Sequence, residues 1–370
     1  MARDAPEVVI LAGGSGTRLR PFTLERPKTL IPVCNVSVLE RILRELAAAG
    51  FTKATATLPS LDKDGQKLLR DAIPDGFELI PFVATKPFVG TASSVADVLG
   101  EGNSPVLVIY GDSLLSVDFN ALVVAHAKKG GSATILYHVP DDLRIAEFNK
   151  CTYHGVMQVD DDGEIRSFVE KPPIDQIPAN AVANAAVFIV ERSLLTQFRD
   201  ALDFSYDVFQ PAVQKRLARL YGCGIGSGFR LDVGSVRRLI AANFRLLRGE
   251  LKGFVPAVEV RAGGATFVPP VLVGRETTIA AGARIGPDVV IGGGCTVGEG
   301  AVVERSVLMA NCRVGAGAVL RDAVLGAFSI VEAGVTLPPF TVLGPYGNSG
   351  GDLWPEPQNQ TGSADPLPSF

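Results

Sequence analysis

No apolar stretch approaches membrane-spanning length, and the first residues show no basic, apolar, small-residue arrangement of the secretory kind. A soluble, cytoplasmic protein is expected. Cysteine is sparse: Cys34, Cys151, Cys223, Cys295 and Cys312 are odd in number and show no C-x-x-C spacing, which favours neither a zinc site nor a disulfide framework. Histidine is scarcer still, with only His126, His138 and His154. Chemistry that needs a histidine base has few places to sit. Nor is there an excess of positive charge: 35 basic residues stand against 39 acidic ones, a net charge of −4. A general nucleic-acid binder is therefore not indicated, and cations near an anionic ligand should be local.

What the chain does have is a glycine-rich turn directly after an apolar run. Residues 8–12 have strand length and character, and Gly13, Gly14 and Gly16 can bring bare backbone N–H groups against an anion. Ser15 and Thr17 add hydroxyl donors, and Arg18 adds a planar fork that matches phosphate oxygens. Pro27 and Lys28 follow, so the segment closes on a second cation. Two familiar phosphate loops are excluded. Leu19 stands where the dinucleotide fingerprint needs its third glycine, and no G-x-x-x-x-G-K-[ST] occurs.

From residue 7 to about 140, strand-like runs at 8–12, 54–58, 79–84, 106–110 and 133–138 alternate with segments of helical spacing near 38–46, 66–72, 91–99 and 119–128. This predicts an α/β fold, a doubly wound and mostly parallel sheet with helices on both faces. Ligands of such sheets lie beyond the carboxyl ends of the strands, where the glycine turn and Gly111-Asp112 both fall. From Val271 the pattern changes. Val273, Ile279, Ile285, Ile291, Val297 and Val303 recur every six residues, and Gly274, Gly286, Gly292 and Gly298 follow four of them. That period fits the hexapeptide coils of a parallel β-helix, with glycine expected to permit the corners. Val314, Val319 and Val324 are five apart, so the coil should continue with irregular corners to about Thr341. The expected division is an α/β domain over 1–262, a β-helix over 263–345 and a flexible tail over 346–370 rich in Gly, Pro, Asn, Ser and Gln.

The run GGSGTRLRPFT, continued by ERPKTLIPV, resembles the signature of the sugar-phosphate nucleotidyltransferases, or NDP-sugar pyrophosphorylases. With the later motifs the resemblance spans most of residues 7–345. It implies a Rossmann-like nucleotidyltransferase domain followed by a left-handed β-helix, and an enzyme that makes a nucleotide sugar and pyrophosphate from a nucleoside triphosphate and a sugar 1-phosphate. It further implies that Leu11, Ala12, Gly13, Gly14, Ser15, Gly16, Thr17, Gly90, Thr91 and Gly111 contact the nucleotide. Arg18 would meet the departing pyrophosphate and Lys28 the α-phosphoryl oxygens. Asp112 of YGD and Asp232 of LDVG would hold Mg²⁺. The stretch FVEKP resembles an E-K-P element in which Glu170 accepts from sugar hydroxyls and Lys171 contacts the sugar phosphate. Gly155 and Asn184 match further sugar-contact positions.

The PVCNVSVLERILRELAAAGF stretch and the appended coils are most similar to the mannose-1-phosphate guanylyltransferases, which implies GTP and mannose 1-phosphate as substrates. Thymidylyl, adenylyl or other nucleotidyl transfer to glucose 1-phosphate, or to a heptose or cyclitol phosphate, stays open. So does a non-catalytic regulatory subunit, although Arg18, Lys28, Asp112, Lys171 and Asp232 together argue against it. A hexapeptide acyltransferase would need a histidine, and all three precede the repeat. The departures from the family are local. Ala186 replaces a common glycine, Thr85 and Lys86 stand where Gln or Glu is frequent, and Phe229 replaces a larger aromatic. Gln210 is an extra residue between Phe209 and Pro211. Asp160, Asp161 and Asp162 precede Gly163 and read as a solvated turn rather than a metal cluster. Neither nucleic acid nor membrane is expected as a partner, and the β-helix is expected to carry a homo-oligomer.

Overall fold

A computed structural model describes residues 5–83, 90–139, 152, 154–251, 263–351 and 353–354. The chain packs as two compact units, one formed by Met1–Gly14 and Ile42–Arg230 and the other by Ser15–Arg41 and Leu231–Phe370.

The first unit is built on a nine-stranded sheet. Its strand Glu7–Leu11 lies between two parallel neighbours, Lys53–Leu58 and Val106–Tyr110, with Val9 opposite both Thr55 and Val108. Being covered on both sides is why this strand reads as a continuous apolar run rather than an alternating one. Glu78–Val83 extends the parallel part beyond Lys53–Leu58. On the other side the long strand Val182–Val190 runs antiparallel to Val106–Tyr110 and meets Ala133–His138 and Gly155–Val159. The helix Phe119–Lys129 starts on the Asp118 carboxylate, which accepts from the Ala121 N–H at 2.8 Å, and ends at Gly130 with φ 65°. Asp160 to Asp162 lie in the turn of the hairpin joining Gly155–Val159 to Ile165–Glu170. The core gathers Phe168, Phe188, Phe204 and Phe209, with ring centroids 4.7 to 5.6 Å apart.

Phe204–Phe209 is a π-helix, closed by a bond from the Gln210 N–H to the Ser205 carbonyl five residues back. The extra residue before Pro211 is accommodated by widening this turn.

In the second unit the hexapeptide period becomes a parallel β-helix of three sheets. Successive coils are 18 residues apart, then 17: Leu272 pairs with Val290, and Val290 with Val307. Ile285, Ile291, Val297, Val303, Leu308, Val314, Leu320 and Leu325 form its core together with Cys295 and Cys312. Of the four glycines, Gly286 takes the positive φ expected of a corner, 106°, while the structure gives the other three a different reason. A Cβ on Gly274, Gly292 or Gly298 would come within 2.4 to 2.5 Å of a backbone nitrogen on the next coil, so these glycines admit the neighbouring backbone. Further left-handed residues fall in columns such as Glu276, Gly294, Asn311, Phe328 and Tyr346, with φ from 59° to 69°.

Residues 15–41 and the helix Val236–Leu247 belong to this same unit. The Cys34 N–H donates to Asn243 Oδ1 at 2.7 Å, and Asn35 Nδ2 donates to the Ile291 carbonyl of the β-helix at 2.8 Å. Arg248 grips Asp288 through two bonds of 2.8 and 2.7 Å. Among the described residues no helix is long and apolar enough to cross a membrane.

Candidate active site

In the second unit, the residues expected at the phosphates are gathered around two glycines. Gly16 takes φ 60°, and its carbonyl accepts from Thr23 Oγ1 at 2.7 Å and from the Leu19 N–H at 2.9 Å. The second of these bonds closes the short turn Thr17–Leu19, which presents an exposed Arg18. A Cβ on Gly16 would stand 2.8 Å from Thr23 Cγ2 and 3.2 Å from Lys28 Cβ, so the turn is pressed against the stem of Lys28. Asp232 ends the strand Phe229–Asp232 and is buried. Its Oδ1 accepts from the Gly234 N–H at 2.8 Å and its Oδ2 pairs with Arg238. A Cβ on Gly234 would lie 2.8 Å from Asp232 Oδ1 and 3.3 Å from Arg18 Nη2, so Arg18 and Asp232 face each other across this glycine. Lys28, Arg18 and Asp232, more than 200 residues apart at the extremes, are thus near one another.

The residues expected at the sugar phosphate form a second group, in the first unit. Gly155 and Glu170 are opposite each other in the hairpin, and a Cβ on Gly155 would come 2.6 Å from Glu170 Oε2 and 3.5 Å from Asn184 Cβ. Glycine here makes room for the carboxylate. Lys171 takes φ 49°, which breaks the strand's alternation and brings its Nζ to 3.6 Å from Glu170 Oε1. Burial pushes the Glu170 carboxyl above its ordinary range, against the lowering effects of Lys171 and of a hydrogen bond from Ser205, while the Asp203 carboxylate raises it further. Asn184 Oδ1 accepts from the Ala186 N–H at 2.8 Å, which fixes the carboxamide. Ala186 keeps the left-handed backbone, φ 57°, at the place where the family commonly has glycine.

The residues expected at the nucleotide leave the carboxyl edge of neighbouring strands: the Gly111 N–H donates to the Leu11 carbonyl at 2.9 Å, placing Asp112 beside the start of the glycine turn through Ala12, Gly13 and Gly14. Ser113 Oγ donates to Asp112 Oδ1 at 3.3 Å. Gly90 is extended, and its lack of a side chain admits the Leu202 carbonyl, 2.1 Å from where a Cβ would sit. The Thr91 hydroxyl is already engaged. It donates to Asp203 Oδ2 at 3.0 Å and accepts from the Phe204 N–H at 3.0 Å, with a further bond to Tyr110. Burial and the nearby Asp203 carboxylate push the Tyr110 phenol upward. Thr85 and Lys86 lie outside the described residues.

Asp112 and Asp232 fall in different units. Both offer hard oxygen donors, and each oxygen of Asp232 accepts a bond from Gly234 or Arg238 while a carboxylate oxygen has capacity for more than one. Carboxylate oxygens of this kind are the donors a hard divalent cation takes. Among the described residues no group of three or more His, Cys, Asp or Glu gathers as a metal cluster. Sequence reasoning missed Arg238, Asp203 and Ser205, and it noted Gln210 only as an extra residue. Asp203 carries a helix-cap signal, D-F-S before a helical segment, but nothing local shows which distant groups these side chains reach.

Residues 7–249 match the nucleotidyl transferase family, and residues 267–348 match the GMPPB C-terminal domain. A UTP--glucose-1-phosphate uridylyltransferase of Synechocystis is 28% identical over 329 residues, covering 82% of each chain. A mannose-1-phosphate guanylyltransferase of Mycobacterium tuberculosis is 28% identical over 307 residues, 77% of this chain and 79% of the relative. A mannose-1-phosphate guanylyltransferase catalytic subunit beta of Drosophila pseudoobscura pseudoobscura is 29% identical over 286 residues, 76% and 72%.

Proposed function

The chain belongs to the nucleotidyl transferase family and is an enzyme that makes nucleotide sugars, and from that premise we propose that it joins GTP to mannose 1-phosphate with release of pyrophosphate. The observation that carries the choice is the match of residues 267–348 to the GMPPB C-terminal domain, which joins that domain to the catalytic family in one chain. Relatives named mannose-1-phosphate guanylyltransferase support it. The similarity to a uridylyltransferase for glucose 1-phosphate favours UTP and glucose 1-phosphate as the second reading.

A sugar-phosphate oxygen is already an ionised nucleophile, so the protein's task is positioning and charge stabilisation rather than acid–base work. Lys171 orients the attacking phosphate while Glu170 accepts from the sugar hydroxyls. Backbone N–H groups of residues 11–17 hold the triphosphate. Lys28 meets the α-phosphoryl oxygens as charge builds there, and Arg18 meets the leaving pyrophosphate. Asp112 and Asp232 would hold Mg²⁺, which when bound reduces the repulsion between the two anionic substrates. The four described cysteines are free thiols, which suits a cytoplasmic setting.

The test is pyrophosphate release from every pairing of common nucleoside triphosphates with a panel of sugar 1-phosphates, with and without a chelator. The expected outcome is a maximum for GTP with mannose 1-phosphate that the chelator abolishes. A maximum for UTP with glucose 1-phosphate would establish the second reading, and activity surviving full chelation would remove the metal from it.

A further inference from the structure

We propose that Gln210 is a positioning residue for the sugar 1-phosphate, holding the Glu170–Lys171 corner from the end of the π-helix Phe204–Phe209. This rests on reading Glu170 and Lys171 as the sugar-phosphate contacts. Two backbone bonds hold that corner in its left-handed turn. The Lys171 N–H donates to the His154 carbonyl at 3.0 Å, within the hairpin. The Glu170 N–H donates to Gln210 Oε1 at 3.1 Å, a contact made across 40 residues of sequence.

The wide turn is what lets one element reach Glu170 twice. At about 100° per residue an α-helix sets residues five apart on faces separated by about 140°. The π-turn closes on the fifth residue instead, with the Gln210 N–H on the Ser205 carbonyl, and brings Ser205 and Gln210 to the same face. Ser205 then bonds the Glu170 carboxylate while Gln210 bonds its backbone. The opposite end of the turn is tied to the nucleotide side. Asp203 Oδ1 accepts from the Ser205 and Tyr206 N–H groups at 2.8 and 3.0 Å, and Asp203 Oδ2 accepts from the Thr91 hydroxyl at 3.0 Å. The corner that meets the sugar and the residue beside the nucleotide loop are therefore held by one rigid turn, with Gln210 on the sugar end alone.

Steady-state kinetics of Gln210→Met, which keeps the side-chain length and removes the oxygen acceptor, tests this. The KM for the sugar 1-phosphate should rise about three- to tenfold, the size of one lost hydrogen bond, while kcat and the KM for the nucleotide stay near wild type. Gln210→Glu, which retains an acceptor but adds a negative charge near Glu170, should raise the sugar KM less than Gln210→Met does. An unchanged sugar KM in Gln210→Met, an equal rise in both KM values, or the same defect in both variants would overturn the proposal. Glu170→Gln is measured in parallel. If it raises the sugar KM and Gln210→Met does not, the positioning role fails and the reading of Glu170 stands. If Glu170→Gln leaves the sugar KM untouched, that reading fails and the proposal with it.

Discussion

The stem of Lys28 packs against the left-handed turn at Gly16 through its Cβ, a contact that Lys28→Ala keeps while removing the charge. Lys28→Ala should lower kcat by about 10²- to 10³-fold with a folded spectrum retained, as for loss of one preorganised donor to developing charge. A raised KM with unchanged kcat would show uniform substrate binding instead. Glu170 makes a prediction about pH. Its carboxyl is held above the ordinary 4.5 by burial, with Lys171 and Ser205 opposing and Asp203 adding to the rise. Accepting from sugar hydroxyls is best served by the ionised form, so kcat/KM for the sugar 1-phosphate should fall on acidification around a pH above 4.5. Stability runs the other way. The folded state holds the proton more tightly than the unfolded one, so ionising Glu170 costs stability as pH rises from the unfolded value through the folded one. Glu170→Gln should therefore raise the thermal midpoint at neutral pH while impairing sugar use. A lower midpoint would show that the carboxylate's bonds outweigh its desolvation.

In the β-helix, the six-residue recurrence of aliphatics was sufficient to identify the coil, because burying one side chain per face of each turn leaves a periodic trace whatever the neighbours are. The role of the glycines was not legible in the same way. A glycine that admits the backbone of the next coil and one that takes a positive φ look alike in the sequence, and only the stacking separates them. Gly292→Ala places a Cβ 2.5 Å from the Ala310 nitrogen, with backbone rather than a yielding side chain in the way. It should lower stability by about 1–3 kcal/mol or more, as overpacking does, seen as an earlier thermal transition. Gly300→Ala meets no atom within 4 Å but sits at φ 65°, so its cost should be the smaller one of left-handed strain, about 1–2 kcal/mol. An equal or reversed order of the two variants would remove the close-approach argument. The π-helix left only the extra Gln210 as a trace, because its geometry is a compromise among Pro211, Glu170 and Thr91 that no local propensity encodes.

For the whole chain, the sequence suggests a boundary near residue 262, with residues 1–262 carrying the chemistry and the β-helix carrying self-association. The structure adds packing that bears on any such cut. Asn35 is bonded to the Ile291 carbonyl, and Pro21 lies beside Gly344, where a Cβ would come 3.1 Å from Pro21 Cβ. Both belong to the segment between Arg18 and the helix Val38–Ala48. A chain truncated after Ala262 should therefore lose kcat and thermal stability even where it folds, because the segment carrying Lys28 loses its support. Sedimentation of the truncated and full-length proteins tests association separately: a full-length oligomer that becomes monomeric on truncation is expected. A full-length monomer, or a truncated chain that keeps the full assembly, would remove the β-helix as the oligomerising element. Retained wild-type kcat in the truncated chain would remove the bracing role.

The fold class, the coil and the identities of Arg18, Lys28, Asp112, Glu170, Lys171 and Asp232 as candidates were legible from the amino-acid sequence, since a buried strand, a hexapeptide turn and a glycine-rich turn each leave a mark within a few residues. The grouping of Lys28, Arg18 and Asp232 around Gly16 and Gly234, the pairing of Asp232 with Arg238, and the reach of Gln210 to Glu170 were decided only in three dimensions. Local sequence sets which backbone shapes and side-chain chemistries are available at low cost. Which distant groups then share a volume depends on how the packed strands, helices and coils bring their ends together, and that depends on every buried contact at once.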